Sequence, residues 1–288
     1  MNENFVILTD SSSDLPAEYL AKRGIVVADL TYRFEGEEKE YRVGDLPIGD
    51  FYSLMRSGKV AKTAALNTET LYQYFATYLE KGQDVLYLAF SSGLSGTYNA
   101  GRLAAEQARA AFPERRIAVV DSLCASGGEG LFVALVADKR DAGATFEETE
   151  AYARETVLSV SHWFTVDDLV YLKRGGRVSP AAAFFGNMLG IKPVLHVDNE
   201  GHLIPMEKVR GRRTAIARMA EKLAETRQEG DTPIFITHAD CPKDAELLAT
   251  MVKEKTGRDA EMIFDIGPVI GAHSGPGTLA LFFLAKER

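Results

Sequence analysis

The sequence predicts an α/β protein in two parts: a parallel-sheet α/β domain over residues 1–160 and an α+β domain with a mixed sheet over residues 161–288. Three observations lead there. The apolar runs Val85 to Phe90 and Ile117 to Val120 are each followed by a polar, glycine-bearing loop and then a helical stretch, Tyr98 to Ala111 and Leu131 to Lys139. Such alternation places parallel strands in one sheet, joined by right-handed crossovers. Beyond residue 160 the pattern changes to hairpins mixed with crossover helices, which suits a mixed sheet. With 288 residues, 46% of them hydrophobic, the chain is long enough to bury two cores.

Taken in order, Phe5 to Leu8 reads as the first strand, ending in Thr9-Asp10-Ser11-Ser12-Ser13-Asp14. Leu15 to Leu20 follows as a helix, with Pro16 suited to its first position and Ser13 or Asp14 to its cap. Ile25 to Leu30 is the next strand, and the charged segment from Phe34 to Gly44 reads as a solvated hairpin or loop. Ile48 to Met55 is a short helix, and Asn67 or Thr68 caps another that runs through Phe75. Thr145-Phe146-Glu147-Glu148 is a capping box opening the helix that closes the first domain. The second half reads as strand His162–Val166, helix Asp168–Lys173, a hairpin of Pro193–Val197 with Leu203–Glu207, and helix Thr214–Glu225. Strand Pro233–Thr237, helix Lys243–Lys255, strand Glu261–Ile266 and strand Leu279–Ala285 complete it.

Charge and composition remove several classes of function. A net charge of −8 opposes binding to phosphate backbones or anionic lipid surfaces. The first apolar run stops too soon for a signal peptide, and the run Thr278 to Ala285 is far short of the roughly 20 residues that cross a bilayer. Cys124 and Cys241 lie far apart, so neither a disulfide framework nor a zinc site is expected. A cytoplasmic protein is the expectation.

Four features can carry chemistry. In Ser91-Ser92-Gly93-Leu94-Ser95-Gly96-Thr97, hydroxyls and glycines stand where a strand gives way to a helix N-terminus, a place suited to a small anion such as a carboxylate or a phosphate. Plain helix capping explains the same residues. His273 sits in Ile270-Gly271-Ala272-His273-Ser274-Gly275-Pro276-Gly277, whose glycines and proline imply a tight turn pressed close to something. Asp10 and Asp14 read as loop organisers more readily than as a phosphotransfer or metal site. The basic clusters Lys173-Arg174-Gly175-Gly176-Arg177 and Lys208 to Arg213 are solvated helix ends or a docking face for an acidic protein. His162, His196, His202 and His238 read as strand-end or surface residues, and without a His-x-x-His pattern no metal is expected. The nucleophile elbow Gly-x-Ser-x-Gly is missed by one residue at Gly93 to Thr97, and no phosphate-binding or dinucleotide-binding glycine motif is present.

Leu8-Thr9-Asp10-Ser11-Ser12-Ser13-Asp14-Leu15, Lys62-Thr63, Ser91 to Tyr98, Val120-Asp121-Ser122, Tyr171 to Arg177, Gly190-Ile191-Lys192-Pro193-Val194 and His273 to Gly277 occur in an order that resembles the DegV family of bacterial fatty-acid-binding proteins. The resemblance implies a long-chain fatty acid held between two domains as ligand, with no cofactor. It also implies a separate fatty acid kinase, ATP-dependent, that converts the presented carboxylate to an acyl phosphate for phospholipid synthesis, the binding protein not being the catalyst. The carboxylate-binding residues carry over onto Thr63, the Ser91-Ser92 pair with Ser92 preferred, and His273. Arg174 and Arg210 correspond to the partner-docking arginines. Where the family usually continues Thr-Ser-Gln-Pro, this chain has Thr63-Ala64-Ala65-Leu66, which removes two polar side chains beside the head group. For the acyl tail, the uncharged stretch Ala181 to Gly190, with Phe184, Phe185, Met188 and Leu189, is a candidate wall or ordinary core. Phe164, Val194, Phe264 and Ile266 are further candidates. The competing readings are a serine-dependent acyl hydrolase or transferase, with Ser92 or Ser95 as nucleophile and His273 as base, and a phosphate-ester or polyol-binding module.

Overall fold

A computed structural model describes residues 4–178 and 190–288. The candidate tail residues Phe184, Phe185, Met188 and Leu189 lie outside them. The first sheet is formed by β1 (Phe5–Asp10), β2 (Val26–Ala28), β5 (Asp84–Ala89) and β6 (Ile117–Asp121) in the order β2-β1-β5-β6, every pair parallel. Helices α1 (Ala17–Lys22), α3 (Thr68–Leu79), α4 (Thr97–Ala111), α5 (Gly127–Asp141) and α6 (Phe146–Thr156) cover it. β1 and β5 are buried along their whole length, as strands covered on both faces must be. The predicted capping box is present: Thr145 Oγ1 accepts from the Glu148 N–H, and the Glu148 carboxylate accepts from the Thr145 N–H.

The chain changes sheets between α6 and β7 (Val160–Thr165). The second sheet has the order β11-β10-β12-β7-β8-β9, built from β8 (Ile191–Val197), β9 (Leu203–Arg210), β10 (Ile234–His238), β11 (Met262–Asp265) and β12 (Leu279–Leu284). It is mixed: β10 and β11 are parallel, the other pairs antiparallel. Alternation along β7 and β12 sends Trp163, Leu279, Leu281 and Phe283 to one face, against α8 (Arg212–Thr226) and α9 (Pro242–Thr256). Phe164, Ala280 and Phe282 point to the other, where α5 lies, so that α5 is shared by both sheets in one core.

Sequence patterning started α5 at Leu131, whereas the helix begins at Gly127. Glycine is a poor helix former, and here close packing overrides the propensity. A methyl group at Gly127 would meet Thr237 and Phe282, and one at Gly128 would overlap the His162 ring. The wedge between the sheets admits nothing larger.

The segment from Phe34 is not solvated throughout. β3 (Thr31–Phe34) pairs antiparallel with β4 (Ala61–Ala64), and Tyr32 and Phe34 are buried with Phe51 and Tyr52 of α2 (Ile48–Arg56). Only the charged stretch after Phe34 stays largely at the surface. This small layer rests on α10 (Pro268–Ser274), and the Tyr52 hydroxyl donates to the Ile266 carbonyl at 2.6 Å. Aromatic side chains spaced among glutamates and lysines hid a local core.

Candidate functional site

A cavity of ≈ 910 Å³, counted to its open mouth, lies between the two sheets. Its walls are mostly apolar: Phe90 and Leu94 from the first sheet's loop, Phe164, Ala280 and Phe282 from the second sheet, and Ile266 before α10. Phe164 and Ile266, two of the candidate tail residues, are among them. Phe264 does not line it, packing edge-on against Phe235 at 5.9 Å, and Val194 faces α8 on the far side of the sheet.

Polar groups collect at one end. Thr63 at the end of β4 and His273 at the end of α10, 210 residues apart, meet with Oγ1 and Nε2 at 2.8 Å, and both line the cavity. His273 is not in a turn but in the last turn of α10, which Gly275 terminates at φ 81°. Burial and the nearby Arg177 guanidinium push the His273 imidazole down to about 4, so it is neutral at physiological pH. Its other nitrogen, Nδ1, has no partner and lies against Gly175, where a side chain would collide with the ring.

The hydroxyl-rich loop divides its labour. Leu94, Ser95 and Gly96 line the cavity, immediately before α4. Ser95 Oγ accepts from the Thr97 N–H and lies 2.9 Å from Thr97 Oγ1. Ser91 and Ser92 do not line it. Ser91 is fully buried and donates to the Gly201 carbonyl at 2.9 Å, tying the loop to the turn between β8 and β9. Ser92 is exposed, its backbone N–H held by Asp121 Oδ1. Of the loop's serines, Ser95 shares the cavity lining with Thr63 and His273, and it stands directly ahead of the helix start.

Arg177 is the cation of this end. It lines the cavity, its Nε donates to the Leu94 carbonyl at 3.1 Å and its Nη1 to the Gly175 carbonyl. The sequence placed it in a basic cluster without distinguishing it from its neighbours. Arg174, three residues earlier in α7 (Val170–Gly175), is exposed, as is Arg210 at the end of β9. Of the two alanines that replace family polar residues, Ala65 lines the cavity and Ala64 is exposed.

The aspartates of the first loop are spent on structure. Asp10 accepts from the Ser12 and Phe90 N–H groups and from the Tyr87 hydroxyl. Asp14 bridges the two sheets' loops, accepting from Ser126 Oγ at 2.6 Å and from the Gly267 N–H at 3.0 Å, just before α10. Among the described residues no cluster of His, Cys, Asp and Glu can hold a metal ion.

Two sheets joined around a shared helix, with an apolar cavity closed at one end by Thr63, Ser95, Arg177 and His273, define a protein built to hold an amphipathic small molecule. The chain belongs to the DegV family, whose model, described as an uncharacterised protein family, matches residues 4–286. It is 38% identical over 288 residues to a DegV domain-containing protein of Clostridium perfringens, covering 99% of each chain. Among solved structures it is similar to a DegV lipid-binding protein of Thermotoga maritima, with TM-score 0.85, 33% identity and 99% of each chain covered. A second Thermotoga maritima protein, described as revealing fatty acid binding function, matches with TM-score 0.84 and 30% identity over 98% of this chain and 99% of that one. No helix among the described residues is long and apolar enough to cross a membrane.

Proposed function

We propose that this protein binds a long-chain fatty acid, its carboxylate at Thr63, Ser95, Arg177 and His273 and its tail along Phe164, Ala280 and Phe282. The observation that carries the reading is the Thr63–His273 contact in a mostly apolar cavity. A carboxylate needs donors. If the neutral His273 holds its proton on Nε2, that proton goes to Thr63 Oγ1 and frees the threonine hydroxyl to donate to the ligand. Arg177 supplies the positive charge that a neutral histidine does not. Each buried methylene contributes about 0.8 kcal/mol, so the tail sets affinity while the polar end sets orientation.

The finer reading is that the bound carboxylate is presented to a separate ATP-dependent kinase, which forms the acyl phosphate, with the exposed Arg174 and Arg210 on the docking face. This chain then supplies binding rather than catalysis. An acyl hydrolase finds little support: the histidine's hydroxyl partner is Thr63, and Ser95 is engaged with Thr97. Mass spectrometry of the purified protein after denaturation tests the binding. Released long-chain acids are expected, and a protein that carries none and takes up none on titration refutes it. Phosphate transfer to the bound acid on adding a fatty acid kinase and ATP, abolished by Arg174→Ala with Arg210→Ala, tests the presentation.

A further inference from the structure

The cavity carries a polar group that a plain fatty acid leaves unused. His162 of β7, 1% exposed, is one of its lining residues, not the strand-end or surface residue its sequence suggested. Its Nδ1 lies 3.2 Å from the Val160 carbonyl oxygen, which can only accept, so the ring proton sits on Nδ1. Burial holds the imidazole's pKa well below its ordinary value, and the ring is uncharged. Nε2 is therefore a bare acceptor, and among the described residues no group donates to it.

The start of α5 lies at the same depth. Ala125 and Ser126 line the cavity, and Ser126, at the N-cap position, gives its hydroxyl to Asp14 instead of capping the first turn. The ring touches this turn at Gly128. The Gly128 N–H already donates to the Ala125 carbonyl at 3.1 Å, so the unpaired group at this depth is the His162 acceptor.

The depth follows from the strand register. Phe282 is paired with His162, and Thr278, near the polar end, lies four residues back along the chain, about 13 Å at strand spacing. An extended alkyl chain with bonds of about 1.5 Å at about 111° advances roughly 1.25 Å per carbon, so His162 meets the chain about ten carbons farther in.

We infer that the cavity takes fatty acids carrying a mid-chain hydroxyl, which donates to His162 Nε2. The inference rests on the fatty-acid reading above. A hydroxyl can donate to that acceptor, whereas a methylene leaves it unpaired.

The test is titration of the protein, stripped of lipid, with stearate, a mid-chain hydroxystearate and a hydroxystearate substituted next to the methyl end. The mid-chain isomer is expected to bind at least as tightly as stearate, and the methyl-end isomer about tenfold more weakly. His162→Leu is expected to weaken the mid-chain isomer about tenfold more than it weakens stearate. A wild-type protein that rejects both hydroxylated isomers alike overturns the inference, as does a folded His162→Leu variant that treats all three ligands as wild type does. Should that variant not fold, the wild-type isomer series decides alone. Failure to bind stearate and both isomers refutes the parent reading instead.

Discussion

The loops after β1 and β5 look alike in sequence, each a run of hydroxyls at the carboxyl end of a parallel strand, yet they serve different ends. After β1, Ser12 Oγ lies within hydrogen-bond reach of both the Asp10 and Glu129 carboxyl groups, and Thr9 Oγ1 within reach of both the Leu88 carbonyl and Glu129, all of it buried. After β5, Ser91 is used to join the sheets while Ser95 stays beside the cavity. The difference lies in what faces each loop. α5 brings a carboxylate against the first, and the second opens toward α10. A hydroxyl cluster becomes a binding site only where the fold leaves room opposite it.

Removing Asp10 should break the first loop most severely. Asp10→Ala strands the Ser12 and Phe90 N–H groups and the Tyr87 hydroxyl in the core. A loss on the order of 3–5 kcal/mol is expected in urea unfolding, since each stranded buried donor costs about 1–3 kcal/mol. A loss below about 1 kcal/mol would show that water enters the loop.

The second loop should respond in affinity. Thr63→Val with Ser95→Ala is expected to weaken fatty acid binding by about 10- to 100-fold with little change in the unfolding midpoint. Ser12→Ala should do the reverse. Ser91→Ala separates the two hydroxyls within one loop: about 1 kcal/mol of stability is expected to go, with affinity changed less than by Ser95→Ala. Equal affinity losses from Ser91→Ala and Ser95→Ala would erase the distinction.

Acid and alkali probe the joint between the halves. Burial pushes the Asp14 carboxyl up to about 8, so its contribution to stability is complete below its ordinary pKa of 3.8 and is lost as pH rises through about 8. His273 runs the other way: its contribution is complete above 6.5 and is lost as pH falls through about 4. In melting temperatures measured across pH, Asp14→Asn should remove part of the decline that the raised pKa imposes between about pH 4 and about pH 8. A profile identical to wild type over that range would contradict the role given to Asp14.

Periodicity made most of the two-sheet architecture legible, because buried parallel strands are continuous apolar runs and the hairpin around Gly201 carries its own turn residues. It failed where packing overruled local preference, as in the glycine-rich start of α5 and the aromatic layer of Tyr32, Phe34 and Phe51. For the site, the region was legible but the atoms were not. Thr63 and His273 came from motif resemblance, and their contact spans most of the chain. The resemblance carries the carboxylate-binding serine onto the Ser91-Ser92 pair, while the fold sets the direction each hydroxyl of the loop takes. Arg177 could not be told from Arg174, since three residues along a glycine-broken helix end decide which guanidinium turns inward. His162 shares strand parity with Phe164, a signal that does place it on the cavity face.

The most direct test of the account compares a long-chain fatty acid with the alcohol of the same length, titrated into wild type and into Thr63→Val. Wild type is expected to prefer the acid by about tenfold or more, and the variant to lose most of that preference while still binding the alcohol as before. An acid preference undiminished in Thr63→Val would place the carboxylate elsewhere and contradict the account.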